Sequence, residues 1–277
     1  VRPYPTTPLL EDSPEELLSS GHLWLREYVA GPRLRFQMKP SGRLLFGDRD
    51  RGFDDVPPPY EFAVRHVRER FDRDAFHDAV DDPAAYVFFG VAPCHVGIDY
   101  DWERMPPVLG WTIWNGTKER LFPIDKAERV FERLGLTPLN TFQKELNVRD
   151  FHPERIEIPD SAWYDGPAAG VIVENRRGGR ALIRGPVLDE MDDHEPIRGE
   201  PTAIADDLVT DARVSRALEA VEAAQQSPAT ADVHARVFEI IVREEYSRLD
   251  SGRVDWKALR SAVGSVVAEK RSALTDD

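Results

Sequence analysis

The sequence predicts an α+β fold: an antiparallel strand core with inserted helices, followed by a helical C-terminal region. Three observations carry this reading. Apolar residues alternate with polar ones from Leu23 to Phe46. Two unbroken apolar runs, Tyr86-Val87-Phe88-Phe89-Gly90-Val91 and Val108-Leu109-Gly110-Trp111-Thr112-Ile113-Trp114, have the length of buried strands. From Pro201 onward Ala- and Glu-rich segments repeat their apolar residues at helical spacing.

Residues 1–20 form a Pro-rich and then acidic arm, in which Ser13 before Pro14 is placed to cap a short helix ending near Ser20-Gly21. Leu23, Leu25 and Tyr28-Val29 then give a strand. Leu34, Phe36 and Met38 share one face of a second, Pro40-Ser41-Gly42 turns, and Leu44 and Phe46 face inward on a third, so a β-meander is expected. Val64, Val67, Phe71, Phe76, Ala79 and Val80 recur at helical spacing up to Asp81-Asp82-Pro83. Asp125 is placed to cap a helix carrying Val130, Phe131 and Leu134, with Gly135 as its stop. Val171-Ile172-Val173 and Ala181-Leu182-Ile183 read as a hairpin turning at Gly178-Gly179. Segments 204–225, 231–249 and 255–272 read as helices. The expected division is an arm over 1–20, a strand-rich domain over 21–200 and a helical domain over 201–277.

The 277 residues are 41% hydrophobic, enough for a sizeable core, which excludes full disorder. No run approaches the roughly 18 apolar residues of a membrane span, and no membrane partner is expected. The first residues lack the apolar stretch of a secretory signal, and Cys94 has no internal disulfide partner, so a reducing cytoplasm is expected. The formal charge is -14, and the basic residues are almost all arginine, the lysines being only Lys39, Lys118, Lys126, Lys144, Lys257 and Lys270. That composition reads as adapted to concentrated salt. There the Debye length falls to about 3 Å, so a local Arg cluster acts independently of distant acids.

Six fragments carry a family resemblance by their order: Leu25-Arg26-Glu27-Tyr28-Val29-Ala30-Gly31, Phe46-Gly47-Asp48-Arg49, Phe88-Phe89-Gly90-Val91, Leu109-Gly110-Trp111-Thr112-Ile113-Trp114, Ala168-Ala169-Gly170-Val171-Ile172-Val173 and Arg180-Ala181-Leu182-Ile183-Arg184. The chain over roughly 20–200 resembles ATP-dependent RNA ligases of the RNA ligase 2-like branch of covalent nucleotidyltransferases. There the corresponding patterns are E-K-x-D-G, a Ser/Asp-Arg turn, F-G-E, an aromatic strand ending F-D-V or F-D-I, E-G-V-V, and K-x-K or K-x-R. The resemblance implies an antiparallel nucleotidyltransferase core of the ATP-grasp-like ligase type.

It also implies where the reacting groups should stand, and each is replaced. The adenylylated lysine falls on Tyr28, the motif aspartate on Ala30, the F-G-E carboxylate on Val91, the E-G-V-V glutamate on Ala169 and the last-motif lysine on Leu182; the aspartate of the aromatic strand falls on Thr112. Glu27, Gly31, Arg49, Gly90, Gly170, Arg180 and Arg184 survive, with Trp111 where the family sets an aromatic against the purine. In such ligases a lysine amine attacks the α-phosphate of ATP, carboxylates hold the divalent ion, and a second lysine stabilises the growing charge. A phenol, with an ordinary pKa of about 10, needs a base or cation beside it to attack. Removing one member of a buried charged cluster costs about 3–5 kcal/mol, whereas exchanging the whole cluster for apolar groups is often neutral. The concerted loss therefore reads as settled.

The expected function is a catalytically degenerate RNA-ligase-like protein, a pseudoenzyme that binds nucleotide or nucleic-acid 5′-phosphate ends or regulates a partner. Its expected nucleotide or phosphate contacts are Glu27, Arg33, Arg49, Trp111, Arg180 and Arg184, with ATP or AMP held without metal. One alternative is an active ligase or nucleotidyltransferase with an unusual nucleophile such as Tyr28. Another is a scaffold binding a protein partner through its C-terminal helices. Single features have blander readings beside these: Arg33 and Arg35 as solvated strand residues, Trp111 as core, and Asp192-Asp193-His194-Glu195 as a solvated linker. Cys94, His95 and Asp99-Tyr100-Asp101-Trp102-Glu103 lack metal-ligand spacing.

Overall fold

The computed structural model describes residues 2–189, 195–224 and 229–275, so residues 192–194 of the acidic linker lie outside the described residues. In chain order the strands are β1 (His22–Glu27), β2 (Arg33–Met38), β3 (Leu44–Gly47), β4 (Tyr86–Val91), β5 (Leu109–Asn115), β6 (Arg120–Leu121), β7 (Thr137–Pro138), β8 (Thr141–Asn147), β9 (Gly170–Asn175) and β10 (Arg180–Arg184). The helices are α1 (Pro58–Arg70), α2 (Arg73–Ala79), α3 (Ile124–Arg133), α4 (Pro201–Leu208), α5 (Asp211–Ala224), α6 (Thr230–Ser251) and α7 (Trp256–Thr275). The fold is α+β, as the periodicities predict.

The strands form two sheets, in the orders β10-β9-β1-β8 and β3-β2-β4-β5-β6, and β7 adds to β5 in parallel. The expected meander therefore does not form: β1 joins β9 and β8, whereas β2 joins β3 and β4. The chain changes sheets at Ala30-Gly31-Pro32. Gly31 has φ 151°, and a Cβ there would stand 2.9 Å from the carbonyl oxygen of Ala92, so the crossing requires glycine. Both apolar runs, β4 and β5, lie inside the second sheet, and β9 and β10 form the expected hairpin.

Other departures are local. Ser13 does not cap a helix; it is extended ahead of Pro14, its hydroxyl donates back to the carbonyl of Leu10 at 2.7 Å, and short 3-10 turns flank it. α3 starts one residue before Asp125, which pairs instead with Arg129 at 3.1 Å. The expected helix over 204–225 divides into α4 and α5 at Val209-Thr210, where Val209 turns into the core.

Period-2 alternation builds the layers. Phe36 and Phe88 face α1–α3 and pack with Val64, Val67 and Phe131. Phe89, Val91 and Trp111 face the other sheet and meet Val29 and Ile172. The C-terminal helices have a core of their own, including Val237, Ile241, Leu259 and Val263. They dock on α1 through Arg65–Glu239 at 2.7 Å and Arg236–Glu69 at 2.8 Å. Arg243 of α6 is buried and donates to the carbonyls of Pro93, Trp102, Met105 and Pro106, with its guanidinium against the rings of Phe62 and Trp102. The His95 N–H donates to the carbonyl of Arg243 at 2.7 Å and its carbonyl accepts from Ser247 N–H at 2.9 Å. One residue of the β4–β5 connection is thus bonded through both its flanking peptide groups to a single turn of α6.

His66, partly buried on α1, has its pKa pushed down to about 4 by burial and then by Arg70, Arg243 and Arg236. In the unfolded chain it takes a proton near its ordinary value of about 6.5, while the folded form refuses it. Stability is therefore unaffected above that value and falls as pH drops towards 4. Urea unfolding at pH 7 and pH 4 should show about 2–3 kcal/mol of this loss abolished by His66→Gln.

Candidate functional site

Along β1 successive side chains take opposite faces, so Arg26 and Tyr28 turn towards the second sheet while Leu25 and Glu27 turn away. Between the sheets lies a cavity of about 420 Å³, lined among others by Tyr4, Tyr28, Arg33, Arg49, Val91, Trp111 and Leu182. Three of the positions where the resemblance expects reacting groups, Tyr28, Val91 and Leu182, thus surround one space. Ala30 and Ala169 pack in the apolar core beside it. Among the described residues the charged side chains of the lining are Arg33 and Arg49, with no carboxylate. The Arg33 guanidinium lies 4.9 Å from the Tyr28 ring centre and 5.9 Å from that of Tyr4.

The N-terminal arm forms one wall. Tyr4 N–H donates to the carbonyl of Arg49 at 3.1 Å, and Leu182 N–H donates to the carbonyl of Pro8 at 2.8 Å. Tyr4 is buried, its ring stacked on Trp111 with centroids 5.2 Å apart and planes 21° off parallel, and its hydroxyl donates to the carbonyl of Gly90 at 3.1 Å. Burial raises the Tyr4 pKa, so the phenol stays protonated as that bond requires. The residue that the resemblance sets against a purine therefore carries a side chain of the same protein. Arg35 is buried nearby and donates to the carbonyl of Arg2 at 2.6 Å.

The other expected contacts lie elsewhere. Glu27 does not line the cavity: it is buried on the far face of β1, accepting from Ser161 Oγ at 2.6 Å, Asn140 Nδ2 at 3.0 Å and Ala162 N–H at 3.2 Å. Burial pushes its pKa above the ordinary carboxylate value, against the pull of those donors. Arg184 is exposed and pairs with Asp189 at 3.1 Å. Arg180 is buried at the back of Trp111, 4.8 Å from its ring centre, and opens onto a neighbouring cavity.

Sequence reasoning missed the charges that fill the rest of the inter-sheet space. Arg26 Nη1 donates to Glu174 at 3.2 Å and to the carbonyl of Trp111 at 2.9 Å, and Glu174 also accepts from Trp111 Nε1 at 3.1 Å. It missed Tyr4 as well, although an aromatic set between Pro3 and Pro5 in a sequence without periodicity was a signal.

No known family model matches this chain, and no curated protein matches its sequence. Solved structures do resemble it. An archaeal ATP-dependent RNA ligase superposes with a TM-score of 0.53 at 13% identity, covering 90% of this chain and 65% of the other. A mutant RNA ligase of Naegleria gruberi with ATP and Mn gives 0.55 at 7% identity over 70% of this chain and 58% of the other. The same ligase with PPi gives 0.54 at 10% identity over 70% of this chain and 59% of the other. The chain spans less than two thirds of the length of these ligases and has the fold of ATP-dependent RNA ligases, a mixed α/β core with antiparallel sheets and added helices.

The residues present do not fit a divalent ion in the cavity, because Val91 and Ala169 offer no side-chain oxygen and among the described residues the lining has no acid. Among the described residues no three of His, Cys, Asp and Glu converge as a metal cage, and no helix is long and apolar enough to cross a membrane. The arm is a packed part of the site, so Tyr4→Ala should lower the unfolding free energy in urea by about 3 kcal/mol. Tyr4→Phe, which leaves the Gly90 carbonyl without its donor, should lower it by about 1 kcal/mol.

Proposed function

We propose that this protein is a non-adenylylating member of the RNA-ligase fold, a pseudoenzyme whose cleft holds the phosphate of a nucleotide or of a nucleic-acid 5′ end without a metal ion. One observation carries the reading. Three of the positions that would react in a ligase, Tyr28, Val91 and Leu182, surround a single cavity, while among the described residues the charges in its lining are the arginines Arg33 and Arg49. With no carboxylate to bridge, a phosphate meets two guanidinium groups directly, and such pairs are short, charge-assisted and often bidentate.

Tyr28 and Tyr4 flank Arg33 and fix the height at which a phosphate oxygen would meet it. Tyr4 is stacked on Trp111, the residue that the resemblance sets against a purine, and this favours a phosphate-led ligand over an adenine-led one. On this reading residues 1–20 are part of the site, residues 21–200 carry it, and the helical domain of 201–277 braces the β4–β5 connection through Arg243.

The test is calorimetric titration with AMP, ATP, and 12-nucleotide RNAs bearing a 5′-phosphate or a 5′-hydroxyl, each in EDTA and in magnesium. The 5′-phosphorylated RNA should bind about tenfold or more tightly than its hydroxyl counterpart, with equal affinity in EDTA. Combined Arg33→Ala and Arg49→Ala should abolish that preference, and Tyr4→Ala should strengthen AMP binding. Failure of every phosphate ligand to bind, or binding only with magnesium, contradicts the proposal.

A further inference from the structure

Beyond Trp111 the inter-sheet space opens into a second cavity of about 450 Å³, bounded by Thr112 and the β6 residues Arg120 and Leu121 on one side and by the turn of the β9–β10 hairpin on the other. Its lining includes Arg120, Arg176, Arg177 and Arg180 against one carboxylate, Glu174. That is a strong local excess of positive charge in a chain whose net charge is -14. Glu174 is shared between this lining and Arg26: it accepts from Arg26 Nη1 at 3.2 Å and from Trp111 Nε1 at 3.1 Å while its charge also acts on Arg180.

Arg180 is 8% exposed, with Nε and Nη2 held by the carbonyl of Gly178, while among the described residues its Nη1 finds no hydrogen-bond acceptor. A buried guanidinium with an unmet donor is costly unless an acceptor arrives. Arg120 and Arg177 are exposed at the rim, and among the described residues neither makes an ion pair.

We infer that this cavity is a second phosphate-binding site, separate from the one lined by Arg33 and Arg49, and that it takes either a free polyphosphate or the backbone of a single-stranded nucleic acid. It does not depend on the first cavity holding a nucleotide. Arg176 is paired with Glu145, so the groups left for a ligand are the forks of Arg120 and Arg177 on two facing elements and the Nη1 of Arg180 between them, which suit phosphate oxygens approached from more than one side.

The full chain is titrated with a labelled 12-nucleotide RNA carrying a 5′-hydroxyl, by fluorescence anisotropy from 50 to 300 mM salt, and with inorganic pyrophosphate by calorimetry. The variant is Arg120→Ala with Arg177→Ala, both at exposed positions, its fold checked by urea unfolding. The site predicts at least about tenfold weaker binding of whichever probe the wild type holds, and for RNA a salt slope shallower by about 1.4 for two lost phosphate contacts. Pyrophosphate held while RNA is not identifies a free polyphosphate; RNA held while pyrophosphate is not identifies the strand backbone. Unchanged binding of both probes by the variant, or no binding of either by the wild type, overturns the inference. So does a loss seen only with Arg33→Ala and Arg49→Ala, a result that leaves the first cavity's role standing.

Discussion

The space between the two sheets has to be filled, and every charge inside it has to find a partner; the rest of the molecule follows from how this is done. Arg26, Glu174 and Trp111 form one hydrogen-bonded group spanning the gap. Next to it the walls are apolar where the resemblance would set lysines and acids, at Ala30, Val91, Ala169 and Leu182. A cluster removed one member at a time would have stranded its remaining charges at about 3–5 kcal/mol each. Among the described residues the cavity between the sheets has no carboxylate in its lining, the arrangement a coordinated replacement would leave.

The N-terminal arm completes that filling. Stacking an aromatic ring on Trp111 removes apolar surface from water, and Tyr4 does so while its hydroxyl satisfies the carbonyl of Gly90. The C-terminal helices work from outside. Arg243 gathers carbonyls of the connection between β4 and β5, and His95 is bonded through both its peptide groups to α6, so the strands that carry Val91 and Trp111 are held at their ends.

Much of the architecture was legible in the sequence. Buried-strand length identified β4 and β5, and Gly178, with φ 90°, marked the hairpin turn. Sheet membership was not legible. Alternation tells which side of a strand is buried but not which strand lies beside it, and the change of sheets rests on Gly31, one residue in a short connection. β8, with the polar sequence Thr-Phe-Gln-Lys-Glu-Leu-Asn at a sheet edge, carries almost no apolar period.

At the site, motif order located Tyr28, Val91, Trp111 and Leu182, which do share one cavity. Glu27, expected as a nucleotide or phosphate contact, lies outside this cavity because it takes the opposite face from its neighbour Tyr28. The Tyr4 contact joins residues 86 apart to Gly90, a pairing that no local pattern encodes.

The central claim is that this cleft lacks the amine and the acids needed to capture an adenylyl group. It is tested most directly by incubating the protein with α-labelled ATP and magnesium, then separating it under denaturing conditions. The account predicts a chain free of label at every salt concentration. A covalent AMP retained on the chain, mapped to Tyr28 and lost in Tyr28→Phe, would contradict it.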